Sequence, residues 1–155
     1  MSNKTVDLLR HAQSLFNKYG INERDPGITN EGREQAFEVG GEYDLVIISP
    51  LRRCRETLDS TRIKYKELRV DHLCREKRGS QCDFLYKEDL PQETEEEMFE
   101  RIRLFKEKLY ELNKKYNRIL VVSHCVYLWN LTSYVNDKGE RLGHRFDNCQ
   151  LRKFI

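Results

Sequence analysis

The stretch that decides the fold reads Val6-Asp7-Leu8-Leu9-Arg10-His11 and lies close to the start of the chain. Its apolar run is short and is bounded by polar residues, which is typical of a strand buried inside a sheet. The run stops at an arginine and a histidine. A strand that ends in this way places an imidazole nucleophile beside a fixed cation, an arrangement suited to phosphoryl transfer.

Two further apolar runs end in the same manner. Leu45 to Ile48 is followed by Ser49 and, a few residues later, by Arg53, while Ile119 to Val122 is followed by Ser123-His124. If the strands are parallel, their carboxyl ends meet at one edge of the sheet, which is where open α/β sheets bind ligands. Imidazoles and guanidiniums would then share a pocket with helix N-termini behind it, and phosphate is the anion that such a pocket suits.

The rest of the chain alternates helices with strands. We expect helices from about Asn30 towards Gly40-Gly41, from about Arg52 to Ile63, from Thr94 to Tyr116 and around Leu128, and further strands at Leu68 to Val70 and at Leu151 to Ile155, the last at a sheet edge. This order predicts an α/β protein: a three-layer sandwich with a mostly parallel sheet, helices on both faces and a minimal cap. Residues 1–155 are expected to form a single domain.

Composition excludes several classes of protein. The chain is 35% charged and 38% hydrophobic with a net charge of +2, which gives no support for a nucleic-acid partner. Its five cysteines form no CxxC pair, so we expect neither a disulfide framework nor a zinc site. A long apolar span is lacking, so we expect no membrane association and a cytoplasmic location.

Four segments match the signatures of a known family in the right order. They are Leu9 to Ser14 with Asn17, Asp25 to Ala36, Ser49 to Thr57, and Val121 to Cys125. On these segments the chain resembles the histidine phosphatase superfamily, also called phosphoglycerate mutase-like. Two positions depart from the family pattern, because Ala12 and Cys125 stand where glycine is usual.

The resemblance implies a role for each matching residue. His11 would be the nucleophile that forms a phosphohistidine, and Arg10, Arg53 and His124 would hold the phosphoryl oxygens. Asn17 and the backbone N–H of Cys125 would add two further donors.

Three more residues are candidates for contacts with substrate. Glu76 is our candidate proton donor for the leaving group, although its spacing to Gly79 is one residue shorter than the commonest family form. Ser14 and Thr29 are either substrate contacts or helix caps.

The segment from Lys77 to Gln92 is short for a lid, which favours a phosphatase over a mutase because water would reach the phosphohistidine. We therefore expect metal-independent hydrolysis of a phosphate monoester, with no cofactor. The alternatives are a cofactor-dependent phosphoglycerate mutase and a phospho-ligand-binding protein with little activity. The partner would be a phosphorylated small molecule or a phosphoprotein, and the edge strand at Leu151 would permit a homodimer.

Overall fold

The strand that carries Arg10 lies inside a mixed sheet, in a computed structural model that describes residues 4–155. β1 (Thr5–Arg10) pairs in parallel with β4 (Arg118–Ser123), which pairs in parallel with β2 (Gly40–Ile48). β3 (Arg62–Val70) continues the sheet in parallel beyond β2, and β7 (Leu151–Lys153) runs antiparallel along the other side of β1. The sheet is therefore mostly parallel, as predicted.

Helices cover both faces of this sheet. They are α1 (Leu15–Tyr19), α2 (Asn30–Phe37), α3 (Arg52–Ser60), α4 (Glu95–Lys115) and α5 (Cys125–Thr132). Since successive side chains of a strand point to opposite faces, Leu8 packs with residues of α4 and α5, whereas Leu9 packs with residues of α3. The three-layer α/β sandwich is confirmed.

The longest helix, α4, follows its sequence signals closely. Thr94 and Glu97 form a capping box, and the first turn is acidic while the last turn is basic, as the helix dipole favours. Its predicted apolar face is buried against the sheet through Met98, Ile102, Phe105 and Leu109.

Several boundaries differ from the sequence-based expectations. α2 ends at Phe37 and α3 ends at Ser60, both earlier than expected, because the residues that follow enter strands. β3 runs from Arg62 to Val70 instead of covering Leu68 to Val70 alone. Its backbone pairs along the whole of β2, while most of its side chains are partly or fully exposed, so it lacks the apolar pattern that reveals a buried strand.

Several short elements were not predicted from the sequence. These are α1, 3-10 turns at His72–Cys74 and Gln81–Asp83, and a hairpin of β5 (Tyr134–Val135) with β6 (Arg141–Leu142). β7 is shorter than expected but does lie at a sheet edge. Within residues 4–155, no helix is long and apolar enough to cross a membrane.

Candidate active site

A cavity of about 380 Å³ opens at the carboxyl edge of the sheet, where β1, β2 and β4 end. The side chains that the sequence predicted and that line it are Arg10, His11, Ser14, Asn17, Arg53, Glu76 and Cys125. The parallel pairing of β1, β4 and β2 explains why residues so far apart in the chain meet here.

His11 is held at the floor of the cavity by hydrogen bonds on both its backbone and its ring. Its backbone N–H donates to Ser123 O at 3.0 Å, and its ring Nδ1 lies 2.7 Å from Ala12 O. Because a carbonyl only accepts, Nδ1 carries the proton and Nε2 keeps its lone pair. Burial, then the charges of Arg53 and Arg10, hold the pKa of His11 well below its ordinary value. The imidazole is therefore neutral at neutral pH.

The backbone around His11 is tied to two other parts of the chain. The N–H of Ala12 donates to Thr57 Oγ1 at 2.9 Å, and that hydroxyl donates to Arg53 O at 2.7 Å. The N–H of Cys149, whose φ is 60°, donates to His11 O at 3.1 Å. These contacts fix the nucleophile candidate relative to α3.

Two arginines bring positive charge into the cavity wall. Arg10 Nη1 donates to Phe146 O at 2.8 Å, and Arg53 Nη1 donates to Cys82 O at 2.7 Å. Arg53 Nη2 also lies 3.4 Å from Asp83 Oδ1. Arg10 Nε is buried and has no hydrogen-bond partner among the described residues.

His124 lies beside His11 and not in the cavity wall. Its ring centroid is 5.3 Å from that of His11, and its Nε2 lies 2.8 Å from Ser49 Oγ. Burial, followed by the charge of Arg53, holds its pKa well below the ordinary value. His124 is therefore a buried neighbour of the nucleophile candidate, and its contact with a phosphoryl oxygen stays a prediction.

Glu76 occupies the start of α5. Its Oε1 accepts from the N–H of Tyr127 at 2.9 Å and of Lys77 at 3.0 Å, and its Oε2 accepts from the N–H of Val126 at 3.1 Å. Burial and the charge of Asp83 raise its pKa, against an opposing effect of Arg53. A raised pKa increases the protonated fraction, which a proton donor needs.

The other predicted contacts divide between the cavity and the helix caps. Ser14 and Asn17 line the cavity and also form the capping box of α1, with Asn17 N donating to Ser14 Oγ at 3.1 Å. Thr29 forms the helix cap that the sequence allowed, because its hydroxyl accepts from the N–H of Gly32 at 2.9 Å at the start of α2. It is not among the residues that line the cavity, and its contact with substrate stays a prediction. Cys125 lines the cavity as the first residue of α5.

The sequence did not single out the other cavity residues as site residues. Phe16, Lys77, Gly79, Ser80, Cys82, Asp83 and Val126 complete the wall. Most of them belong to the irregular segment after Glu76, where the sequence has no periodicity to interpret. Within residues 4–155, no cluster of three or more histidine, cysteine, aspartate and glutamate side chains is arranged to hold a metal ion.

Fold and site together define a class: an α/β protein with a neutral histidine between arginines at the carboxyl edge of a mostly parallel sheet. The sequence model of the histidine phosphatase superfamily, branch 1, matches residues 6–91. The chain therefore belongs to that superfamily. No curated protein matches the sequence.

Solved structures share the fold at low sequence identity. The α-ribazole phosphatase of Shigella flexneri has a TM-score of 0.65 and 17% identity, covering 90% of this chain and 94% of its own. Phosphoserine phosphatase of Entamoeba histolytica, solved with 3-phosphoglyceric acid, has a TM-score of 0.60 and 20% identity over 81% and 76%. A mycobacterial glucosyl-3-phosphoglycerate phosphatase, solved with VO3, has a TM-score of 0.58 and 18% identity over 83% and 78%.

Proposed function

We propose that the protein is a phosphatase that hydrolyses a phosphate monoester through a phosphohistidine on His11, without a metal ion. The observation that carries this proposal is the state of His11. Its Nδ1 is engaged by Ala12 O, so the lone pair of Nε2 is free for attack in a cavity that also holds Arg10 and Arg53.

The first chemical step transfers the phosphoryl group to the enzyme. Nε2 of His11 attacks phosphorus, and the bond between phosphorus and the leaving oxygen breaks. Negative charge on the phosphoryl oxygens is stabilised by Arg10 and Arg53, whose side chains are fixed by backbone carbonyls. Glu76 gives its proton to the leaving oxygen, so that an alcohol departs.

The second step returns the enzyme to its starting state. Glu76, now a carboxylate, takes a proton from water as the water oxygen attacks phosphorus. The bond between phosphorus and His11 breaks, and inorganic phosphate and a protonated Glu76 result. Both steps balance without a further reactant.

Hydrolysis is favoured over transfer to a second substrate hydroxyl, because the cavity has few basic groups besides the two arginines assigned to the phosphoryl oxygens. Lys77 contributes a cation to the wall, whereas the nearby Arg78 Nε donates to Pro91 O at 3.0 Å. A mutase must retain its intermediate and restrict water, and such a lining offers few groups for that purpose. We propose a phosphorylated small molecule or a phosphoprotein segment as substrate.

The test uses a panel of phosphomonoesters, 3-phosphoglycerate with its bisphosphate cofactor, and a phosphohistidine protein. We expect the wild type to release phosphate and to accumulate an acid-labile phosphoenzyme. His11→Ala should abolish both, while the control His72→Ala, at an exposed histidine, should change neither. Release that survives His11→Ala would overturn the proposal. Retransfer without release would indicate a mutase, and phosphate binding without turnover would indicate a binding protein.

A further inference from the structure

The geometry points to Asp83 as a positioning residue of this site: it orients Arg53 and keeps a second carboxyl charge beside Glu76. This assignment rests on the function proposed above and adds a residue that neither the sequence signatures nor the comparisons indicate. Asp83 ends the 3-10 turn Gln81–Asp83 and faces the same cavity as Arg53 and Glu76.

The carboxylate of Asp83 is fixed by its own loop. Its Oδ2 accepts from the backbone N–H of Ser80 at 3.0 Å and of Gly79 at 3.2 Å. This leaves Oδ1 directed at Arg53 Nη2, at 3.4 Å. The two side chains are 12% and 5% exposed, so solvent screens their interaction less than at the surface.

Arg53 is consequently held by two neighbouring residues of one turn. Cys82 O accepts from Nη1 at 2.7 Å, while the Asp83 carboxylate lies beside Nη2. A guanidinium has five N–H donors, so donors remain for phosphoryl oxygens. The turn therefore selects the orientation in which Arg53 meets the substrate.

Charged and polar groups from several elements act on Glu76. The charge of Arg53 acts on it from α3, and the backbone N–H groups of Lys77, Val126 and Tyr127 donate to it. All of these favour the carboxylate, whereas burial and Asp83 favour the protonated acid. Asp83 is thus the charge that opposes Arg53 in its effect on Glu76.

Other ionisable groups near the site do not supply the negative charge that Asp83 provides. The thiol of Cys54 stays neutral, because burial raises its pKa to about 12. His11 and His124 are neutral at neutral pH, since burial and the charge of Arg53 lower the pKa of each. Removing the charge of Asp83 should therefore lower the pKa of Glu76, and it should also lower that of His11 because Arg53 loses its counter-ion.

The experiment is a pH titration of the free protein by ¹³C NMR, following the Glu76 carboxyl and the His11 imidazole. The variants are Asp83→Asn and Asp83→Ser; serine keeps a hydroxyl acceptor for the turn amides. Asp71→Asn is the matched control, because Asp71 caps Leu73 N at 2.9 Å and pairs with Lys108 at 2.6 Å at similar burial.

We expect both Asp83 variants to lower the Glu76 midpoint by roughly one pH unit, and the control to leave it unchanged. In the pH profile of kcat, both limbs should then move to lower pH. Midpoints that match the wild type in both Asp83 variants would overturn the assignment, since a purely structural residue would reduce activity without moving the profile.

The two proposals fail in different ways. A wild type that neither turns over phosphoesters nor forms a phosphoenzyme contradicts the proposed function. The titration needs no substrate, so it tests Asp83 whatever the kinetic result.

Discussion

Thr57 offers a sharp test of how the nucleophile candidate is held. Its fully buried hydroxyl accepts from the N–H of Ala12 at 2.9 Å and donates to Arg53 O at 2.7 Å. Thr57→Val keeps the shape of the side chain but removes the acceptor. The N–H of Ala12 then loses the hydroxyl that accepted its hydrogen bond. Because Ala12 is fully buried, water cannot replace that acceptor.

The magnitude follows from these contacts. A buried donor that loses its partner costs about 1–3 kcal/mol, and the extra buried methyl group returns at most about 0.8 kcal/mol. We expect Thr57→Val to lower the free energy of unfolding by about 1–2 kcal/mol. Because Ala12 follows His11 directly, we also expect a lower kcat.

The control separates the Ala12 contact from the general effect of losing a helix threonine. Thr132 Oγ1 donates to Leu128 O at 2.8 Å, the same bond within a helix that Thr57 makes to Arg53 O. Thr132→Val should therefore cost less than about 0.5 kcal/mol. Urea unfolding of both variants and the wild type measures the difference. Equal losses in the two variants would refute the reasoning, because the bond to Ala12 N–H would then contribute nothing.

Two further predictions concern the proton donor Glu76 and the buried ion pair between Arg75 and Glu88. Glu76→Gln should reduce kcat by about 10²–10⁴ for alkyl phosphates and much less for p-nitrophenyl phosphate, whose leaving group needs no proton; an equal loss for both substrates would exclude an acid role. Glu88→Gln should destabilise the protein by about 3 kcal/mol, because it leaves the buried guanidinium of Arg75 without the carboxylate it contacts at 2.7 and 2.9 Å. The matched Glu100→Gln removes an exposed pair with Arg103 and should cost much less in the same urea unfolding assay, because solvent screens that pair. Similar losses in the two variants would contradict the importance of burial.

Much of the fold was predictable because its central strands are buried on both faces. Such strands must be continuously apolar, so Leu45 to Ile48 and Ile119 to Val122 are visible in the sequence itself. The helix α4 is equally visible, since its caps and its apolar face are local features. The edge strand β3 is not visible in the sequence. It is held by backbone pairing with β2, which places no apolar requirement on its exposed side chains.

In the candidate site, likewise, some residues were predictable from the sequence and others were not. Arg10 and His11 end a buried strand, so parallel pairing alone predicts where they lie. Asp83 reaches the cavity through contacts between distant segments, such as the bond from Cys82 N to Asn22 Oδ1 at 3.1 Å, and no local pattern records them.

The sequence by itself determined the central strands of the sheet, the edge at which the candidate site lies and the family, because these follow from apolar runs and from short motifs at strand ends. The tertiary structure decided that His124 packs beside His11, that Thr29 caps a helix outside the cavity, and that Asp83 faces Arg53. The physical reason is that a strand end places a backbone, whereas a side chain's neighbours, burial and charge depend on residues that only folding brings together.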